Sequence, residues 1–496
     1  MLSPVEEKDS TVHTTVVKTL SREEKVTMKK TFLRMISWLM IFSFAASQTL
    51  FADEAQLMSM VNDLQKQMSE LQSTIAAQKS EIQALKTQGA GIQMAAGGVE
   101  APKIDEDAFK AQFDKNLKKK IGDSDKWLNG LKSKGDIRMR YEPANNTRAT
   151  SADVNRFRFR LRWGLEKEFN DEFKAGFRLA SGGTTDPTST NQSFDSAFAN
   201  KTITIDQAYA IYNPKWALVG PICDVEFGVG KVANPLSDVH SWLSWDSDVT
   251  PEGLYEKVTS RLFKTENLST DIEFLGTQFI INESSARDNN NGDAELFGFS
   301  GGIRNKFTHE NLQHPIDLRH HINYEFSRGI GKVGTATATS YSIDGVNMRN
   351  NDLFTGVNTG DLGVLSFYHE LGWKIDPLPK FKLSFEHGQN TQAHMDNAHE
   401  RHFYVVNAKI GSAKKKGEWE LGYTYGHLEK NSTFSVWTDS DFGFTNRKGS
   451  VIKAGYGLTD FLTLNGSAFF TQNVIDAGSN SPNAQQLYQV DLVWKF

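Results

Sequence analysis

The chain has 496 residues, 39% of them apolar and 23% charged, with a formal net charge of -5. That length excludes one small domain, and that charge argues against a dedicated nucleic-acid binder. The single cysteine, Cys223, excludes a disulfide framework and a cysteine-rich metal site, and reads as a small buried residue.

In chain order, the first feature is a helical hydrophobic stretch from about Met28 to Ala52. Met28-Lys29-Lys30 leads into an apolar run from Phe32 to Ala46, and small residues precede an acidic segment. A basic start, a short apolar centre and a small residue before the cut read as a secretory signal. Cleavage follows Ala52 or, alternatively, Ser47. The 27 polar residues before Met28 fit a mis-called upstream start codon. An uncleaved membrane anchor is the competing reading; the short run and Arg34 near its start oppose it. Residues 1–52 are thus assigned to an extended N-terminus and signal.

From Leu57 to Leu85 apolar residues step by four and three. Val61, Met68, Ile75 and Ile82 take one core position, and Leu57, Leu64, Leu71, Gln78 and Leu85 take the other. About four heptads predict an α-helical coiled coil over 53–88, on the order of 40 Å long. The alternative is an amphipathic helix packed on its own domain. Gln78 at a core position costs stability and is the kind of residue that sets register. Residues 89–130 form a linker, Gly/Ala-rich from Gly89 to Gly98, then a short charged helix over 105–120. Its Lys118-Lys119-Lys120 end reads as a solvated face.

Beyond Leu131 the period changes to two. Phe157, Phe159, Leu161, Trp163 and Leu165 alternate with Arg156, Arg158, Arg160, Arg162 and Gly164. Trp419, Leu421, Tyr423 and Tyr425 form a similar row, as do Ile452, Ala454, Tyr456 and Leu458, and finally Tyr488, Val490, Leu492, Trp494 and Phe496. Short links occur at Asn170-Asp171, Asp376 to Pro379, Ala413 to Lys416 and Thr459-Asp460; looser ones lie at 213–221, 265–269 and 308–315. Long polar loops intervene at 142–154, 182–200, 233–254, 283–294, 328–362, 390–400, 429–446 and 472–484. Alternating short and long connections are what tight periplasmic turns and long outer loops require. The expectation for 131–496 is an all-β, antiparallel transmembrane barrel of about sixteen strands, with both ends in the periplasm. Thr335 to Ile343, if a membrane strand, raises the count to about eighteen.

The segments NRFRFRLRWGLEKEFN (155–170), GFRLASGG (176–183), DPTSTNQSF (186–194), ITIDQAYA (203–210) and WDSDVTPEG (245–253) resemble the family called putative porins. The resemblance covers roughly 131–496. It implies an outer-membrane protein, in many members with a coiled coil between signal and barrel, through which ions and small hydrophilic solutes diffuse. It supplies no particular substrate. The terminal VDLVWKF, with Trp494 and Phe496, is similar to the signal by which the barrel-assembly machinery recognises its clients.

The strongest local feature is cationic. With apolar side chains facing lipid, parity sends Arg138 and Arg140 inward from the first strand, Arg156, Arg158, Arg160 and Arg162 from the second, and Lys174 and Arg178 from the third. Lipid-facing arginine near mid-bilayer would cost roughly 2–4 kcal/mol, which fixes this parity. The arginines either form a ladder that attracts anions or pair with acidic neighbours to brace the wall. The loop from Ala233 to Gly253 carries Asp238, Asp246, Asp248 and Glu252 beside Trp242 and Trp245. By analogy with trimeric porins, it is expected to fold into the lumen opposite the arginines; a surface loop above the membrane is the alternative.

His394, His399 and His402, with Asp396 and Glu400, lie in an outer loop without tetrahedral spacing and read as flexible and polar. His320 and His321, adjacent on one strand, must point to opposite faces. Phosphate-loop, HExxH and nucleophile-elbow motifs are absent, so no enzyme and no cofactor are expected. Three functions compete: a general diffusion porin, a substrate-selective anion channel, and an outer-membrane tether whose barrel does not conduct. A homotrimer is expected from the barrel analogy, although Ile with Leu in the heptads often gives dimers.

Overall fold

The computed structural model describes residues 130–496 except 147–152, 284–292, 310–311, 313, 331–334, 337–340, 344–345, 348–361, 375–377, 394–399 and 476–483. The signal, the coiled coil, the linker helix and most of the histidine cluster therefore lie outside the described residues. Among those described, sixteen antiparallel strands close on themselves. They are β1 (Leu131–Asn146), β2 (Val154–Glu168), β3 (Phe173–Ser181), β4 (Ile203–Tyr212), β5 (Ile222–Lys231), β6 (Glu252–Lys264), β7 (Leu268–Asn282) and β8 (Ala294–Phe307) in the first half. The second half comprises β9 (Ile316–Arg328), β10 (Gly363–Trp373), β11 (Phe381–Asn390), β12 (His402–Gly411), β13 (Trp419–Leu428), β14 (Arg447–Gly457), β15 (Leu462–Asn473) and β16 (Ala484–Lys495).

Each strand pairs with its neighbours in sequence, and β1 pairs with β16 from Asp136↔Lys495 to Asn146↔Gln485. At this seam the Gly135 N–H donates to the Phe496 carbonyl at 2.8 Å, and the Phe496 N–H returns the bond at 3.1 Å. A Cβ on Gly135 would lie 2.5 Å from the Phe496 ring, so the glycine is what admits the terminal side chain. Strand β3 stops at Ser181 and leaves the outer half of β2 bare. The loop expected at 182–200 covers it: Gln192–Ser193 pair with Phe159 and Arg158, and the Phe194 N–H donates to the Phe157 carbonyl at 2.9 Å. The Ser181 hydroxyl takes the Leu161 N–H at 2.9 Å. No water competes for these groups in hydrocarbon, so such pairing is obligatory.

Side chains cap the tight turns. Asn170 Oδ1 accepts from the N–H groups of Glu172 and Phe173, both at 2.8 Å. Thr459 Oγ1 accepts from Leu462 N–H at 2.9 Å. Thr335–Ala336, Tyr341–Ile343 and Val346–Asn347 form a separate three-stranded sheet, which corrects the eighteen-strand alternative. Strand β1 runs to Asn146, past the loop start expected at 142, because Glu142 is an inward ion-pair partner. Cys223 is exposed, contrary to the expected burial, and its thiol lies 3.4 Å from the Thr259 carbonyl.

Parity divides the wall as expected. On β14, Ile452 and Tyr456 are exposed while Val451, of the opposite parity, and Phe469 beside it on β15 are buried. On β9, His321 meets Ser300 at 2.8 Å and Glu273 at 2.9 Å inside, whereas His320 turns outward to His369. The apolar core lies within the cylinder, where Leu236, Leu243, Phe434 and Phe442 from two loops pack on wall residues such as Phe403 and Phe469.

Ile452→Arg, in the middle of an outward row, is expected to cost about 2–4 kcal/mol of folding free energy in bilayers. Ile452→Leu should be close to neutral. Urea titration of barrel folding into lipid vesicles reads the difference; equal stability would place this row away from lipid.

Candidate functional site

The inward faces of β1 and β2 bring arginine opposite arginine: Arg138 faces Arg160 and Arg140 faces Arg158 across the pair. Like charges in register repel, so the arrangement requires interleaved carboxylates. Asp136 and Glu142 share the inward parity and supply two of them. Arg160 Nη2 lies 2.7 Å from Asp136 Oδ2, and Arg162 Nε lies 2.7 Å from Asp136 Oδ1. Arg156 Nε donates to Glu142 at 2.6 Å, and Arg158 stands 3.5 Å from the same carboxylate. Arg140 grips Asp491 of β16 in a two-bond fork of 2.8 and 2.9 Å, and reaches Asp441 at 3.2 Å. Forked guanidinium–carboxylate pairs are among the stronger polar contacts and fix side-chain direction as well. Arg138 is left 3.9 Å from Asp491 and donates to Asn191. Arg178 pairs with Asp206, while Lys174 lies in register with Glu168 beside the β2–β3 turn.

The loop from 232 to 251, between β5 and β6, crosses the interior. Asn234 Oδ1 accepts from the Leu236 N–H at 3.0 Å and starts a short helical turn at Pro235–Asp238. Beyond it, the Val239 carbonyl takes a bond from Asn323 of β9, and the Trp242 indole donates to Thr424 of β13. The Lys453 ammonium of β14 sits 3.4 Å from the centre of the Trp242 ring, a cation–π contact. The chain then returns to β2, where Asp248 meets Arg162 at 3.1 Å and Arg160 at 3.9 Å. A segment touching β2, β9, β13 and β14 has to lie inside the cylinder.

His240 anchors this loop. Its Nδ1 lies 2.6 Å from Glu386 of β11 and its Nε2 lies 2.9 Å from Glu325 of β9, all three side chains being buried. Glu386 also accepts from the Ser241 N–H and the Ser244 hydroxyl. Burial alone would lower the imidazole, but Glu325 and Glu386 together push it up to about 10. His240 is therefore a cation at neutral pH.

Of the four acidic loop residues expected to face the arginines, Asp248 alone makes that contact. Asp238 pairs with Lys257 at 2.7 Å, and Glu252 with Lys231 at 2.9 Å where the loop rejoins the wall. Asp246 is buried. Burial first, then Asp439 and Asp248, push its carboxyl well above the usual range.

The loop 429–446, expected on the outside, folds inward as well. Trp437 stacks on Trp245 with ring centres 5.3 Å apart, and its carbonyl accepts from the Asp246 N–H at 2.9 Å. It delivers Asp441 to Arg140. Burial would raise Asp441, but Arg140, Gln489 and Arg158 hold its carboxyl below the usual range. Asp439 is pushed up to about 7, by burial and then by Asp441. Asp136, Glu142, Asp491, Asp441, Glu325, Glu386 and His240 are thus site residues that the sequence reading missed. Parity on β1 alone would have exposed the first two. Among the described residues no group of three or more histidine, cysteine or acidic side chains is placed to hold a metal.

The sequence profile of a family described as "Putative porin" matches residues 131–327 and 365–496. No curated protein matches the chain. Among solved structures, OprB of Pseudomonas putida is similar at 11% identity and a TM-score of 0.44, covering 75% of this chain and 96% of that one. OmpF of Salmonella typhi is similar at 12% identity and 0.42, covering 75% and 99%. A mutant of Rhodopseudomonas blastica porin is similar at 10% identity and 0.37, covering 74% and 100%.

His240→Ala leaves two buried carboxylates without their shared cation and is expected to cost about 3–5 kcal/mol. Urea unfolding in detergent checks this; a loss under about 1 kcal/mol would mean His240 does not anchor the loop. Asp439 holds its proton more tightly folded than unfolded. Stability should therefore fall as pH climbs from the ordinary carboxylate range towards 7, then level off. Asp439→Asn keeps an oxygen for the Phe442 N–H, which Asp439 now accepts at 2.6 Å. It should flatten that fall when unfolding midpoints at about pH 5 and about pH 8 are compared.

Proposed function

The chain belongs to the family described as "Putative porin", and from that membership we propose that it is an outer-membrane porin passing ions and small hydrophilic solutes by diffusion. The acidic loop at 232–251 and the loop at 429–446 narrow the lumen where they meet the arginine wall of β1–β2, and the passage runs past these contacts. What carries this reading is one contact, the Asp248 carboxylate at 3.1 Å from the Arg162 guanidinium, inside a closed barrel with an apolar exterior. Fixed charges of both signs lining a narrow passage orient dipolar solutes and leave modest ion selectivity. A homotrimer in the outer membrane accords with the family. So do a cleaved signal at 1–52, a periplasmic coiled coil at 53–88 and a linker at 89–130. Trp494 and Phe496 are proposed as the features read by the assembly machinery.

A second reading, an anion-selective channel, draws on Arg138 and Arg158. Their Nε atoms have no hydrogen-bond partner, so neither guanidinium is fully committed to the carboxylates of the wall.

The test is a planar-bilayer recording of the purified protein under a salt gradient. The wild type should conduct, and Arg158→Ser with Arg160→Ser should move the reversal potential towards cation preference. An unchanged reversal potential would remove the arginines from ion selection, and a silent wild type would overturn the porin reading.

A further inference from the structure

A second cationic site lies on β14 and β15, separated from the arginines of β1 and β2 by β16. Arg447 opens β14 with its side chain inward, directly across from Asn473 of β15, and Thr471 is the next inward residue on β15. Opposite residues on paired strands have Cβ atoms about 5 Å apart and diagonal ones about 7–8 Å, so the three side chains share one spot. All three are more than nine-tenths buried, with Arg447 at 7%, Thr471 at 4% and Asn473 at 7% exposure.

Their polar atoms are unfilled. Arg447 Nη1, Asn473 Nδ2 and Thr471 Oγ1 are each buried without a hydrogen-bond partner. Among the described residues no carboxylate lies within ion-pair distance of Arg447. The arginines described above on β1, β2 and β3 each meet a carboxylate or an amide oxygen. A buried guanidinium without a counter-charge is costly, and an unmade bond on each of two neighbours adds to the cost. Water could fill the amide and the hydroxyl, but it brings no charge.

The backbone nearby is shaped to the guanidinium. Gly443, in the loop that covers the site, has φ +100, and a Cβ there would lie 2.8 Å from Arg447 Nε. A left-handed glycine lets the loop close over the guanidinium, where a side chain would be both strained and obstructed.

We propose that Arg447, Thr471 and Asn473 form a binding site for a small oxyanion, a carboxylate or phosphate group, at the outer end of the barrel interior. The guanidinium supplies the charge and a planar pair of donors. The Thr471 hydroxyl and the Asn473 Nδ2 each add a donor, the complement of an anion whose oxygens all accept. The site does not depend on conduction, so it stands apart from the porin reading.

The experiment uses the full chain in detergent, with inorganic phosphate and acetate as probes, each balanced against chloride at constant ionic strength. A ligand that binds the folded state raises the unfolding midpoint as it saturates. One of the two probes should raise the heat-unfolding midpoint of the wild type along a single-site curve. Arg447→Met should abolish that response, and because no ion pair is lost it should fold. Asn473→Leu, which removes one donor and keeps the charge, should move the curve to higher probe concentration. No response in the wild type overturns the proposal. So does a full response in Arg447→Met, which would place the anion at the β1–β2 arginines, or a full response in Asn473→Leu.

Discussion

Everything in this barrel follows from the absence of water around its outer wall. A backbone N–H or C=O left unpaired in hydrocarbon costs several kcal/mol, so the sheet can have no edge. Two local devices serve that demand. The β1–β16 seam closes through Gly135 and Phe496, and the short strand at 192–193 covers the bare half of β2. Each is a different sequence solution to the same deficit.

Closure then dictates the interior. Alternation puts every second side chain inside, and on β1 and β2 those are charged. Carboxylates had to arrive from wherever the fold could supply them: Asp136 and Glu142 from β1 itself, Asp491 from β16, Asp248 and Asp441 from the two inward loops. Pairing of this kind is weak as a source of stability, because desolvation offsets much of the attraction. Its effect is on position. Arg140, held by Asp491 in a two-bond fork and by Asp441 from the loop, ties the barrel seam to the loop 429–446.

The barrel was legible because its signal is local and repeated. Phenylalanine against arginine along β2 admits one period and one choice of face. Turn positions were legible where a capping side chain marks them. The site was legible in part. Asp246 and Asp248 are two residues apart, yet one is buried beside Trp437 and the other meets Arg162. A loop has no period, so nothing in the sequence separates them. Arg140 and Asp491 are 351 residues apart and become neighbours only through closure. The inward fold of 429–446 left a trace that went unread. Phe434, Val436, Trp437 and Phe442 are too apolar for an exposed loop, and three of the four are fully buried.

The two sides of the inward loop differ in a way that bears on how such an interior can be both fixed and open. At His240 the loop meets Glu325 and Glu386, both at most 1% exposed, in a dry contact that excludes solvent. At Asp248 it meets the arginines with a carboxylate 18% exposed; Asp441 of the loop 429–446, on the same wall, is 27% exposed, and Arg156 is 43% exposed. Charges interact more strongly where water is absent and are screened where it is present. The contact that holds the loop is therefore separate from the partly solvated contact with the arginines. Substitutions on the arginine side can change the charge there without releasing the loop, because the anchoring imidazole lies across the barrel from them.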